Sequence, residues 1–215
     1  MEQGEERRNR MERPDPNPQP LLQADVAPLC CCLLSGGESR RMGRDKALLP
    51  HPQGGTWLER TLLLLAQLNA PITLLSRHEP HLALAQQLAA AMPPPITVLA
   101  EPPPWEGPLL ALHRLMQHHP EKRLLLCPVD MPDLTLIALQ GLQTASTADP
   151  GAFQLAHDGQ RLQPLLGIYP SHEPFRSQLA AAVSQGERRL LRWLETVPCR
   201  SVQLEPQAIR NVNHP

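Results

Sequence analysis

Residues Leu29 to Leu34 read LCCCLL, six apolar side chains in a row with a polar, glycine-bearing loop directly behind them. A run that short and that continuous suits a strand buried on both faces, as in a parallel sheet. Similar runs recur at Pro71–Ser76, Ile96–Ala100 and Arg123–Cys127. Between them lie stretches with helical spacing, at 56–69, 81–91 and 107–118, and another follows at 133–144. In the first of these, Thr56 and Glu59 have the spacing of a capping box, and Leu58, Leu62 and Leu65 share one face. Strand and helix alternate, which predicts an α/β layer fold with a mainly parallel sheet. Asp158-Gly159, between runs at 152–156 and 163–169, is a hairpin signal and adds an antiparallel element. Helices at 172–184 and 187–194 and a last strand near 201–204 complete the expectation.

Composition sets the limits of that domain. The chain has 215 residues and 26 prolines, and Pro14, Pro16, Pro18 and Pro20 alternate with polar residues near its start. Such spacing forbids helix and removes backbone donors, so residues 1–27 read as a disordered tail and 28–215 as one domain. The tail has neither the apolar core of a signal peptide nor the acid-poor character of a transit peptide. Net charge is −1 and aromatic residues are 3% of the chain, which argues against a nucleic-acid surface. No apolar run approaches the ~18 residues of a membrane helix. Five cysteines, three of them consecutive, read as reduced core residues in a cytoplasmic protein. The histidine pairs His78/His81 and His118/His119 read as surface residues.

The chemistry concentrates in Leu34-Ser35-Gly36-Gly37-Glu38-Ser39-Arg40-Arg41-Met42-Gly43-Arg44-Asp45-Lys46. Adjacent glycines let main-chain N–H groups approach a ligand, and three arginines and a lysine bring positive charge to the same place. A polyphosphate wants both, and ligands bind beyond the carboxyl ends of strands in open α/β sheets. A solvated basic loop is the other reading of these residues. Neither a Walker A loop nor a dinucleotide fingerprint can be traced here. Asp130 follows the fourth strand between Pro128 and Pro132; it reads either as a cap or turn residue or as a carboxylate that faces the same crevice and suits Mg²⁺. Asp133 reads as the cap of the next helix. Trp105 either lines the crevice or packs beside it.

The segment from Leu34 to Lys46 resembles the signature L-A-G-G-x-S-x-R-M-G-x-D-K of nucleotidyltransferases. It is most similar to that of the molybdenum cofactor guanylyltransferase (MobA) family. Pro128-Val129-Asp130-Met131-Pro132, Gln163-Pro164-Leu165, Gly186-Glu187-Arg188-Arg189 and Asn211-Val212-Asn213 resemble further family segments, in the family's order. The resemblance implies a single Rossmann-like three-layer domain of the nucleotide-diphospho-sugar transferase type. It implies transfer of GMP from GTP to molybdenum-bound molybdopterin, with release of pyrophosphate. Leu34, Ser35, Gly36 and Gly37 would then contact the nucleotide, Arg41 and Lys46 would neutralise the triphosphate, and Asp130 would hold Mg²⁺. Arg188 or Arg189, Asn211 and Asn213 would meet the pterin substrate. Proteins that make or receive molybdenum cofactor are the implied partners.

Three positions depart from the family pattern. Ser35 replaces the usual Ala, and Glu101 stands where an Asp often reads the base. Leu74, in Leu74-Leu75-Ser76, cannot offer the base the contact that an asparagine makes in some relatives. A cytidylyltransferase using CTP, another small-molecule nucleotidyltransferase and a non-catalytic nucleotide-binding protein are the competing readings.

Overall fold

A computed structural model describes residues 26–37 and 45–212. The expected tail at 1–27, apart from Val26 and Ala27, lies outside the described residues, as do Arg40, Arg41 and Arg44 of the basic loop and Asn213. Seven strands form one sheet: β1 (Leu29–Leu34), β2 (Ile72–Ser76), β3 (Ile96–Ala100), β4 (Lys122–Pro128), β5 (Phe153–His157), β6 (Leu162–Ser171) and β7 (Cys199–Gln203). Their order across the sheet is β3-β2-β1-β4-β6-β5-β7. The first four are parallel to one another, and β6 alone is reversed, antiparallel to both β4 and β5. The expected antiparallel element is therefore one strand set inside the sheet, and β7 pairs parallel with β5 at the far edge.

The helices are α1 (Trp57–Ala66), α2 (Glu79–Ala89), α3 (Pro108–His118), α4 (Leu136–Ala148), α5 (Phe175–Ser184) and α6 (Leu190–Leu194). Helix α1 starts as its sequence dictates: the Thr56 hydroxyl accepts from the Glu59 N–H, and the Glu59 carboxylate accepts from the Thr56 N–H at 2.6 Å. Helix α4 corrects the reading of Asp133. Its cap is Thr135, whose hydroxyl accepts from the Ala138 N–H at 3.3 Å. Asp133 instead faces Arg210 at 3.4 Å.

Alternation along β1 divides the core in two. Leu29, Cys31 and Leu33 pack with the apolar faces of α1, α2 and α4 on one side. Cys30 and Cys32 pack on the other with α3, α5 and α6. The result is three layers, in which Cys30, Cys31, Cys32 and Cys127 are buried and unpaired as expected, whereas Cys199 at the edge strand is only half-buried. A side chain at Gly167 on β6 would meet the Gln154 carbonyl oxygen at 2.5 Å, so only glycine allows this close pairing at the β5–β6 irregularity. The Ala27 carbonyl, at the end of the expected tail, accepts from Arg123 Nε at 2.8 Å. Among the described residues, no helix is long and apolar enough to cross a membrane.

The strand order places a crevice. From β1 the chain steps outward to β2 and β3, then returns to the other side of β1 as β4. Loops leaving β1 and β4 therefore diverge, which opens the sheet at their carboxyl ends.

Candidate active site

Leu34 and Pro128 are register partners at that opening, and the Val129 N–H donates to the Leu34 carbonyl at 3.2 Å. A cleft of about 650 Å³ lies over them. It is lined by Leu34, Ser35, Gly36, Gly37, Lys46, Glu101 and Asp130, so the sequence-predicted nucleotide residues that are described come together. Gly36 has a steric reason to be glycine: a Cβ there would sit 2.8 Å from Glu101 Oε2.

Glu101 is held in place by a residue the sequence reading missed. Its Oε1 accepts from Arg114 Nη1 at 2.7 Å, with the two side chains 10% and 19% exposed. Arg114 also donates to the Pro104 carbonyl at 3.0 Å, and Trp105 Nε1 donates to the Glu101 carbonyl at 2.9 Å. Trp105 lines the cleft and carries the Arg77 guanidinium 5.0 Å over its ring. The proline-rich loop after β3 is thus fastened by α3 and by its own tryptophan. Arg114 lies outside every motif, and only the packing of α3 against that loop brings it to Glu101.

Asp130 is half-buried. Burial pushes its carboxyl above the ordinary carboxylate value, while the nearby Lys46 ammonium and its own main-chain N–H act in the opposite sense. Lys46 Nζ donates to the Val212 carbonyl at 3.1 Å, and the Val212 N–H donates to the Asp130 carbonyl at 3.0 Å. Val212 thus touches both Lys46 and Asp130, although neither it nor Asn211 is among the cleft residues. Asn211 Nδ2 donates to Gln163 Oε1 at 2.9 Å, and Gln163 Nε2 donates to Asp158 Oδ2 at 2.8 Å.

Arg188 and Arg189 are not among the cleft residues. Arg188 pairs with Glu106 and donates to the carbonyls of Val183 and Glu187 at 2.9 and 2.8 Å. It tethers the end of α5 to the loop before α3. Arg189 is largely exposed, with Glu187 at 3.8 Å.

His81 corrects the surface reading. It is 1% exposed and sits beneath the glycine loop. Its Nδ1 lies 3.0 Å from the Ser35 carbonyl oxygen and 3.1 Å from the hydroxyls of Ser35 and Ser76, and its Nε2 lies 2.7 Å from Asp45 Oδ2. One imidazole thus grips both stems of the loop, Ser35 on entry and Asp45 on exit. The motif contained Ser35 and Asp45 but gave no hint that a histidine of the next helix would join them. His119 is a second correction: it turns inward, with Nε2 2.8 Å from Thr73 Oγ1, while His118 is exposed as expected.

The fold is shared with proteins of known structure. The structure is similar to that of molybdopterin-guanine dinucleotide biosynthesis protein A from Archaeoglobus fulgidus, with TM-score 0.63 and 19% identity over 86% of this chain and 93% of that one. It is equally similar to 4-diphosphocytidyl-2C-methyl-D-erythritol synthase from Anaerococcus prevotii, with TM-score 0.66 and 10% identity over 88% and 94%. Identities this low speak for the fold alone. Family membership rests on sequence: residues 31–198 match the MobA-like NTP transferase domain, and the chain belongs to that family. A relative from Rhodopirellula baltica, named "Probable molybdenum cofactor guanylyltransferase", is 36% identical over 91% of this chain and 92% of its own.

Proposed function

We propose that this protein transfers GMP from GTP to the terminal phosphate of molybdenum-bound molybdopterin. A phosphate oxygen of the acceptor attacks the α-phosphorus, the bond to the β-phosphate oxygen breaks, and pyrophosphate leaves. The observation that carries this reading is the meeting of Lys46 and Asp130, from the loops after β1 and β4, at one cleft in a chain of this family.

Both reactants are anions, so positioning and neutralisation of charge do most of the work. No general base is needed, because the attacking phosphate is already ionised. The loop from Leu34 to Gly37 offers main-chain groups to the nucleotide. Lys46, released from the Val212 carbonyl, neutralises the triphosphate and the leaving group, and Arg41 assists. Glu101, fixed by Arg114, faces the base and can accept from the N1–H and N2–H donors of guanine. Asn211 and Asn213 serve the pterin side, and Arg188 and Arg189 stand further out for its phosphate. The domain spans 28–215, and proteins of molybdenum cofactor assembly or use are its partners.

The donor set fits Mg²⁺. Asp130 offers a hard carboxylate oxygen whose negative charge burial disfavours, a deficit that a divalent cation makes good. When bound there, Mg²⁺ supplies Lewis-acid stabilisation of the α-phosphate.

The test is incubation with molybdopterin-loaded molybdate carrier, Mg²⁺ and either GTP or CTP, reading pyrophosphate and the dinucleotide product. GTP-dependent turnover supports the proposal. Turnover with CTP alone overturns the guanylyl assignment, and nucleotide binding without turnover in either arm overturns the enzymatic one.

A further inference from the structure

At the opposite end of the sheet, the structure gathers three metal-binding side chains that the nucleotidyl transfer does not use. Cys30 and Cys32 stand two residues apart on β1 and point to the same face, toward α3. His119 ends α3 and reaches back to them. One ligand atom from each lies within 4.8 Å of the other two.

We propose that Cys30, Cys32 and His119 form a binding site for one Zn²⁺ ion. Zn–S and Zn–N bonds of about 2.3 and 2.0–2.1 Å at tetrahedral angles place the ligand atoms roughly 3.5–3.8 Å apart. Cys30 Sγ and His119 Nε2 are 3.7 Å apart. Thr73 Oγ1 hydrogen-bonds that nitrogen at 2.8 Å and lies 3.8 Å from Cys30 Sγ, so loading exchanges this hydrogen bond for the zinc bond and leaves the fourth position to a water. Thr73 is there because β2 pairs it with Cys32.

The surroundings favour a cation over two neutral thiols. The hydrogen bonds open to the sulfurs are long, 3.7 to 3.9 Å from Cys30 to His119, Thr73 and the Cys31 carbonyl, and 4.0 Å from Cys32 to the Cys30 carbonyl. Loading releases two thiol protons, and a 2+ ion with two thiolates is neutral overall, which suits this apolar core. The ion also lies at the carboxyl end of α3, the negative end of its dipole. Both cysteines are buried, whereas His119 is partly exposed and marks the way in. Thiolate and imidazole donors select zinc over the hard Mg²⁺ suited to Asp130, so the two sites do not compete for one ion.

The test uses the full chain, purified anaerobically, stripped with a chelator and titrated with Co²⁺ as a spectroscopic stand-in for Zn²⁺. The expected result is one Co²⁺ per chain with thiolate-to-cobalt charge-transfer and tetrahedral d–d bands, abolished by Zn²⁺. His119→Ala should weaken binding at least 100-fold, and a Cys30→Ser, Cys32→Ser double variant should remove the charge-transfer band. Cys31→Ser, on the other face of β1, should bind as the parent does and controls for general damage to the strand. Since His119 is partly exposed, its variant tests the site even where the double variant fails to fold. Three results would each overturn the proposal: no cobalt band with all thiols reactive, full binding in His119→Ala, or a Cys30–Cys32 disulfide in the anaerobically prepared protein.

Discussion

Replacing His81 by alanine tests whether the glycine loop is pinned from below. The imidazole of His81, with its side chain 2% exposed, faces Asp45 at 2.7 Å and Ser35 at 3.0 Å. A hydrogen bond to an ionised carboxylate contributes about 1.5–3 kcal/mol, and a buried polar group left unpaired costs about 1–3 kcal/mol. Water entering the imidazole-sized gap restores part of this, because Ser35, Ser76 and Asp45 all offer it partners. A net loss of about 2–3 kcal/mol lowers Tm by roughly 4–12 °C in a domain of this size. The loop then closes against a larger loss of chain entropy on nucleotide binding. If half the lost energy falls on binding, the KM for GTP rises by about five- to twelvefold while kcat changes less. Steady-state kinetics and calorimetry read the two effects. Tryptic cleavage at Arg40, Arg41 and Arg44 should quicken in the variant and slow again with GTP. An unchanged KM and cleavage rate beside a lowered Tm would refute the reasoning, since His81 would then serve the core alone.

Other expectations follow from the same geometry. Lys46→Ala and Asp130→Asn should each reduce turnover by at least about 10³-fold while near-ultraviolet circular dichroism is preserved, since each removes charge stabilisation from the transition state. Gly36→Ala must displace the Glu101 carboxylate that lies 2.8 Å from the new Cβ, so the KM for GTP should rise by an order of magnitude or more, as titration calorimetry can check. Arg114→Leu frees Glu101 from its 2.7 Å partner and should narrow the preference for GTP over CTP in a competition assay. Thr135→Ala should destabilise the protein to urea by about 1 kcal/mol, and Asp133→Ala by clearly less, because Thr135 is the cap of α4.

The parts of the fold legible in the sequence were those governed by local pattern. β1 and β3 are found at their predicted residues because both ends of each apolar run are marked by polar or proline-rich loops. α5 starts at Phe175 and not near His172, since Pro174 supplies the helix boundary and Glu173 bonds forward to Ser177. At the site, Leu34 to Gly37, Lys46, Glu101 and Asp130 were legible because strand ends and turn residues reveal them. His81, Arg114 and the inward turn of His119 were not. Their partners are 46, 13 and 46 residues away, and only the pairing of β1 with β2 and the seating of α2 and α3 bring them within reach. Asp133 misled because a short acidic side chain before a helix satisfies the capping rule two residues too early.

The reversed strand β6 has a consequence for how such a domain can change. Because it runs against β4, its beginning lies beside the carboxyl end of β4, so Leu165 reaches the cleft and Gln163 meets Asn211. The hairpin around Asp158 and Gly159 therefore opens at the same end of the sheet as the nucleotide loop, yet it shares no strand with it. Under the proposed function, lengthening or rewriting that hairpin alters the acceptor side and leaves the strands that carry the nucleotide loop in register. One inverted strand thus puts two loops at the same end of the sheet on separate strands, so that either can be altered without re-registering the other.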